Sequence, residues 1–346
     1  MKTDMTSRER VKKAMHFMPP DKVPVQYYYA PVGYYEHGET LNDLYSELPG
    51  DFGPFERMAV PAPAENEYEA DGSFHAFRRD EWGTLKEYRI FGIAGMPVEY
   101  PLADISNLES YIFPPAPALS GPKFEEHCKR VKKHQEQYYF LQGAGSLFER
   151  LVALRPETDV LCDIALNEPG ISRLADKIIE YYSDFVSLAV KAGADGISFG
   201  DDYGTERSLV MNPVTWRSFI KPRLKELFLP AVKAGLDIHF HSCGQVGAVL
   251  DDFREIGVTS IWPQLPAYNM EELAARCRSL GLAVAIHTDR ANIMTHGTPS
   301  DVRDLVKREY EVFQMAQGGA WFYIEADNGF PFENLEALVE TIKEIQ

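Results

Sequence analysis

From about residue 123 onward, short apolar runs alternate with segments whose apolar positions recur every three or four residues. The runs are YYFLQG (138–143), DGISFG (195–200), LDIHFH (236–241), VTSIWP (258–263), LAVAIH (282–287) and AWFYIE (320–325), a length that suits strands. Between them Leu174, Ile178, Ile179, Tyr182, Phe185 and Ala189 mark one buried helical face. The helices end on one repeated device. In KAGADGISF, KAGLDIHF, REIGVTSIW and RSLGLAVAI, a glycine just past the helix turns the chain into the next strand. Together with KVPVQYYY (22–29), this rhythm predicts a parallel sheet with helical crossovers. Seven or eight such units close most naturally into a (β/α)8 TIM barrel whose active site lies at the carboxyl ends of the strands. The alternative, a doubly wound open sheet, calls for a glycine-rich phosphate turn, and neither GxGxxG nor GxxxxGK[ST] occurs.

Residues 1–120 read differently. PVQYYYAPVGYY and LPGDFGPFERMAVPAPAENEYEADG predict loops and short strands, and DEWGTLKEYRIFGIAGM predicts a hairpin around Trp82 to Met96. The expectation is an α/β protein forming a single domain, 1–346. Residues 1–120 supply an N-terminal extension and the first barrel elements, and residues 121–346 the main βα repeats.

Charge narrows the partners. With 52 acidic against 35 basic residues the chain carries −17, a field that repels polyanions, so nucleic acid is not an expected partner. No apolar run reaches the length of a signal peptide or a membrane span, and a cytoplasmic location is expected. Cys128, Cys162, Cys243 and Cys277 are too few and too scattered for a disulfide framework. Of these only Cys243 has informative neighbours.

Those neighbours are IHFHSCG (238–244). Alternation along a strand sends His239, His241 and Cys243 to one side and Ile238 and Phe240 to the other. An HxC pair at a strand end offers zinc two of the three or four ligands it requires. A half-buried strand with satisfied histidines and a structural cysteine fits the same pattern. Other strand ends bring Glu325 and Asp327, His287 and Asp289, and Asp201 and Asp202 to the same rim, although each acid taken singly also suits a helix cap.

TSRERVKKAMHFMPPDKVPV, DEWGT, PLADISNLESYIFPP, DDYGTERSLVMNPVTWRSFIKPRLKELF, HSCGQV, GTPSDVRDLV and PFENLEALVETI together resemble the uroporphyrinogen decarboxylase superfamily. The resemblance is closest to its zinc-dependent corrinoid methyltransferases, including the methylcobamide:coenzyme M methyltransferases. It implies a bound Zn2+, a corrinoid supplied by a partner protein, a small methylated substrate or thiol acceptor, and a homodimer. It makes HxCG the zinc motif, with His241 and Cys243 as ligands. Where the coenzyme M enzymes place a second cysteine on the last strand, this chain reads YIEADNG, so Glu325 stands as the third ligand. Asp202 and His287 are the candidate proton-transfer groups. Tyr28, Tyr34, Trp262 and Tyr323 are the candidate substrate-lining aromatics, suited to a methoxylated ring or a methylammonium. His239, one register deeper, is placed beside them as a lining or hydrogen-bonding group. The arginine-rich segment with which the decarboxylase grips its polycarboxylate is missing from PVQYYYAPVGYYEHGE. A metal-independent decarboxylase of a smaller acid and a non-catalytic binding barrel are the rival readings. The element DIHFHSCG begins like a corrinoid-binding DxHxxG, but Ser242 stands at its glycine and the segment is already a strand.

Overall fold

The computed structural model describes residues 5–289 and 291–346. In chain order its strands are β1 (Val25–Tyr28), β2 (Ala76–Arg79), β3 (Leu85–Tyr88), β4 (Met96–Glu99), β5 (Leu141–Gly143), β6 (Gly196–Gly200), β7 (Asp237–Ser242), β8 (Ser260–Pro263), β9 (Ala283–Ile286) and β10 (Ala320–Glu325). Seven of them form one curled parallel sheet in the order β1-β10-β9-β8-β7-β6-β5, so every apolar run read as a strand joins it. The helix ends follow the predicted device: at Gly235 the backbone turns left-handed (φ 72°), which a residue without Cβ adopts freely. Among the described residues no helix is long and apolar enough to cross a membrane.

Among the described residues no eighth strand joins this sheet. Between the edge strands β1 and β5 lies the segment 48–54, LPGDFGP, in which prolines and glycines disfavour a regular ladder. One residue spans the gap. Asp51 donates its N–H to the Val25 carbonyl (2.7 Å), and its own carbonyl accepts from the Tyr139 N–H (3.4 Å). Its carboxylate accepts from the Val25 N–H (2.9 Å) and from Arg10 (2.5 Å).

Period-two alternation sorts the strand residues into two layers. Ile238, Phe240, Val284, Ile286, Phe322 and Ile324 belong to the large core shared with the helices. On the concave side Ala283, Ala285, Trp321 and Tyr323 pack with Tyr139 and with Val11 and Met15 of the helix Ser7–Met15. That helix, opened by a Thr6/Glu9 capping box, is pinned under the amino ends of the strands by the Gly319 N–H to Ala14 carbonyl bond (2.6 Å) and by Arg8 on Asp195 (2.8 Å). With this end closed, the carboxyl ends carry the opening.

The expected hairpin is part of a three-stranded antiparallel sheet, β2-β3-β4, whose β3 and β4 flank residues 89–95. The stretch read as loops and short strands also holds two helices, Pro31–His37 and Glu39–Ser46. They are short and meet at Gly38, which hides their periodicity.

Candidate metal centre

β7 behaves as its alternation requires. Phe240 packs outward against Phe199, Phe228 and Phe253, while His239 and His241 turn inward beside Trp321 and Trp262. The two histidines then part company. His239 is buried, its Nδ1 lies 2.9 Å from the Ser260 hydroxyl, and burial pushes its imidazole down to about 3, so it stays neutral. It does not line the cavity at the strand ends, and the lining role assigned to it fails for a simple reason: one register deeper is already inside the packed interior.

His241 Nδ1 lies 2.9 Å from the Trp262 carbonyl. A carbonyl only accepts, so Nδ1 carries the proton and Nε2 keeps its lone pair, the arrangement in which a histidine ligates a metal. Nε2 stands 3.4 Å from Cys243 Sγ and 3.4 Å from Asp202 Oδ1. Ligand atoms of Asp202, His241 and Cys243 all lie within 4.8 Å of one another.

Backbone contacts hold that triad. The loops after β6 and β7 zip together through Asp201 N–H to His241 O (3.0 Å), Gly204 N–H to Cys243 O (3.2 Å) and Gln245 N–H to Thr205 O (2.7 Å). A Cβ on Gly244 would sit 2.2 Å from the Gly204 backbone, and one on Gly204 2.4 Å from Gln245 N, so only glycines permit this approach. The approach brings the Cys243 N–H to 2.7 Å from Asp202 Oδ1. The neighbouring acid turns the other way. Asp201 accepts from the N–H groups of Leu147 (3.0 Å), Phe148 (2.8 Å) and Glu149 (2.7 Å), capping the helix Phe148–Leu154, and from the Tyr203 hydroxyl. Burial pushes its carboxyl up to about 6 against those bonds.

The triad opens on a cavity of about 460 Å³ that is also lined by Tyr28, Glu149, Trp262, His287, Tyr323 and Glu325. Glu325 reaches this cavity but not the ligand cluster: its carboxylate lies 3.9 Å from His287 Nε2. The carboxylate of the compact cluster is therefore that of Asp202, expected to move protons, while Glu325, expected as the third ligand, lies outside the cluster. The reason is register, since the β6 loop is zipped to Cys243 while β10 pairs with β9 and β1 and has two strands between itself and β7. Tyr34 is also displaced from its expected place: it is buried against Tyr29 and Tyr45, away from the lining. Trp262 lies between the rings of His241 (3.9 Å) and Tyr323 (4.1 Å), so its stacking holds the imidazole in place. Asp201, Asp289 and Asp327 do not line the cavity. Cys277 is buried in the helix Met270–Leu280, where burial pushes its thiol up to about 12. Glu149 is the lining group that sequence reading missed. Burial, and then the charges of Asp201 and Asp202, push its carboxyl up to about 8. The signal was available: it is the first carboxylate after β5, in the first turn of the helix that follows.

A nitrogen, a thiol sulfur and a carboxylate oxygen converging at this range on the wall of a cavity form a donor set that zinc takes, with the imidazole already oriented from behind. The residues present fit the metal.

A methyltransferase from Methanosarcina mazei superposes on this chain with a TM-score of 0.65 at 16% identity, covering 98% of this chain and 99% of that one. A protein from Sinorhizobium meliloti 1021 reaches a TM-score of 0.37 (14% identity, 64% of this chain, 83% of that one) and the IOLI protein with a binding zinc atom 0.34 (12%, 70%, 84%), values too low to bear on the fold. No curated protein matches the sequence. The profile of the family described as uroporphyrinogen decarboxylase (URO-D) matches residues 140–345. That span runs from β5 to the last helix and includes the whole triad, more than half of the chain: the protein belongs to the uroporphyrinogen decarboxylase family.

Proposed function

We propose that this protein is a zinc-dependent methyltransferase that moves a methyl group between a small methylated substrate or thiol and a corrinoid carried by a separate protein. The observation that carries this reading is the Asp202, His241 and Cys243 cluster, with His241 Nδ1 bonded to a backbone carbonyl behind it. The family and the name of the Methanosarcina mazei neighbour support it. In this reading the sheet works as a barrel whose eighth position is filled by the Asp51 segment, and the corrinoid protein approaches the carboxyl ends of the strands.

His241 Nε2, Cys243 Sγ and an Asp202 oxygen would hold the zinc. When bound, zinc supplies a Lewis acid that lowers the pKa of a thiol or stabilises charge on a leaving atom. The chain's own residues do the rest. The Cys243 N–H holds the Asp202 carboxylate at 2.7 Å, and the His241, Trp262 and Tyr323 rings stack in series to fix the imidazole. His287, with its Nε2 3.9 Å from the Glu325 carboxylate on the cavity wall, would hold or move a proton at the substrate. A metal-independent decarboxylase acting on a polycarboxylate would need paired cations, and no lysine or arginine lines the cavity among the described residues.

Elemental analysis tests the reading. Purified without chelator, the protein is expected to carry about one zinc per chain, Cys243→Ala to lose it, and Glu325→Ala to retain most of it. Folded wild-type protein that takes up no zinc on remetallation would overturn the proposal, and decarboxylation surviving a chelator would put the lyase in its place.

A further inference from the structure

Resting on the metal reading above, one side chain beside the triad singles out a class of substrate. The loop after β7 is held from the loop after β8 by two side chains. The Gly244 N–H donates to Gln264 Oε1 (2.9 Å), while the Tyr268 hydroxyl accepts from the Val246 N–H (2.8 Å) and donates to the Gly244 carbonyl (2.9 Å). A backbone N–H only donates, so the Gln264 amide is fixed with its oxygen on Gly244, one residue past Cys243, and its Nε2 donors form the opposite end. Those donors meet no acceptor among the described residues, although the side chain lines the cavity. The neighbouring amide has none to spare: Gln245 accepts from the Gly247 N–H (2.9 Å) and donates to the Ala267 carbonyl (2.9 Å). Pro263, Leu265 and Pro266, which line the cavity on either side of Gln264 in sequence, carry no side-chain donor. An acceptor lying against this wall therefore has Gln264 to meet.

We infer that Gln264 sets substrate choice: the cavity takes a small thiol or methylated compound bearing an ether or hydroxyl oxygen a few bonds from the atom held at the metal, and Gln264 Nε2 donates to that oxygen. The clamp on Gly244 places the donors beside the Cys243 ligand before substrate arrives. A hydrocarbon in the same place would strip water from the N–H groups and leave them unpaired, and that penalty is the source of the selectivity. With no lysine or arginine on the cavity wall among the described residues, a neutral oxygen suits the site better than an anionic one.

The test uses protein loaded with Co2+ and two thiols of the same shape, 2-methoxyethanethiol and 1-butanethiol, which differ by an oxygen in place of one methylene. Both are titrated through the thiolate-to-cobalt absorption. Gln264→Glu keeps an oxygen for the Gly244 N–H and removes the NH2 group. It is expected to lower the affinity for the ether thiol relative to the hydrocarbon thiol about fivefold, the worth of one neutral hydrogen bond. A side chain that only holds the loop would change both affinities together, so a ratio equal to that of wild type overturns the inference. Gln264→Met, which has a similar length and no N–H, supplies the same ratio if the glutamate variant takes up no cobalt. Wild-type protein that takes up no cobalt sinks the metal reading and not this one. Tryptophan fluorescence of the metal-free protein, titrated with anisole and with ethylbenzene, then decides: a preference for the ether that falls in Gln264→Glu upholds the inference, and an unchanged ratio ends it.

Discussion

The two ends of the parallel sheet treat buried acids in opposite ways. At the amino ends every one of them is paired. Asp51 holds Arg10 at 2.5 Å, Asp195 holds Arg8 (2.8 Å) and Lys12 (2.7 Å), and Asp237 holds His16 (3.3 Å) and the Tyr139 hydroxyl (2.7 Å). Burial alone would raise the Asp195 carboxyl, but hydrogen bonds from Arg8 and Lys12 hold it below its ordinary value. At the carboxyl ends the buried Asp201 lies near Asp202 and the exposed Glu149, and the carboxyls of Glu149 and Asp201 are pushed up instead. Glu309, buried behind the loop after β9, follows the second pattern. It accepts only from the Thr288 hydroxyl (2.8 Å), and burial pushes it up to about 8. Acids paired within the protein keep their charge, and a buried acid without a cation holds its proton instead.

That contrast can be broken from either side. The largest effect is expected at the paired end, where Arg10→Ala orphans a carboxylate that is only 1% exposed. A loss of about 3 kcal/mol in urea unfolding, with zinc content unchanged, is the expected outcome. A variant as stable as wild type would mean that the ion pairs under the sheet are incidental.

At the other end the expected effect is smaller and depends on pH. Burial pushes the folded carboxyl of Glu309 up to about 8, while the unfolded one keeps the ordinary value of 4.5. Between those values the folded state binds the extra proton, so stability falls as pH rises and levels off above 8. Glu309→Gln is expected to flatten this slope in denaturant melts at a series of pH values. Identical slopes in variant and wild type would remove Glu309 from the comparison.

His16 is the weakest partner, because its side chain is 51% exposed. The hydrogen bond to Asp237 raises its pKa. Its contribution is therefore complete below the unfolded value and lost as pH rises through the folded one. His16→Ala is expected to cost less than about 1 kcal/mol, and only on the acid side. NMR titration of the imidazole reads the shift directly, and an unshifted curve would dissolve the pair.

Particular residues show where local pattern suffices. YYFLQG through AWFYIE each became a strand of the one sheet, because an apolar run closed by a glycine-ended helix has few other ways to bury itself. His241 and Cys243 were legible for the same reason, since alternation fixes the face they share. Asp201 and Asp202 were not separable. Adjacent acids in a loop have no period, and one became a helix cap while the other entered the triad. Tyr34 looked like a lining aromatic because a tyrosine run carries no label for inside and outside.

The sequence by itself determined the parallel strand and helix rhythm, the presentation of an imidazole and a thiol from one strand end, and the acidic balance of the chain, all set by neighbours a few residues apart. The carboxylate that joins the His241 and Cys243 cluster and the bridging of the sheet edges by Asp51 were decided only by tertiary structure. Each depends on segments about 25 to 90 residues apart meeting through backbone hydrogen bonds. The pairing of strands, and not the pattern along any one of them, sets that contact.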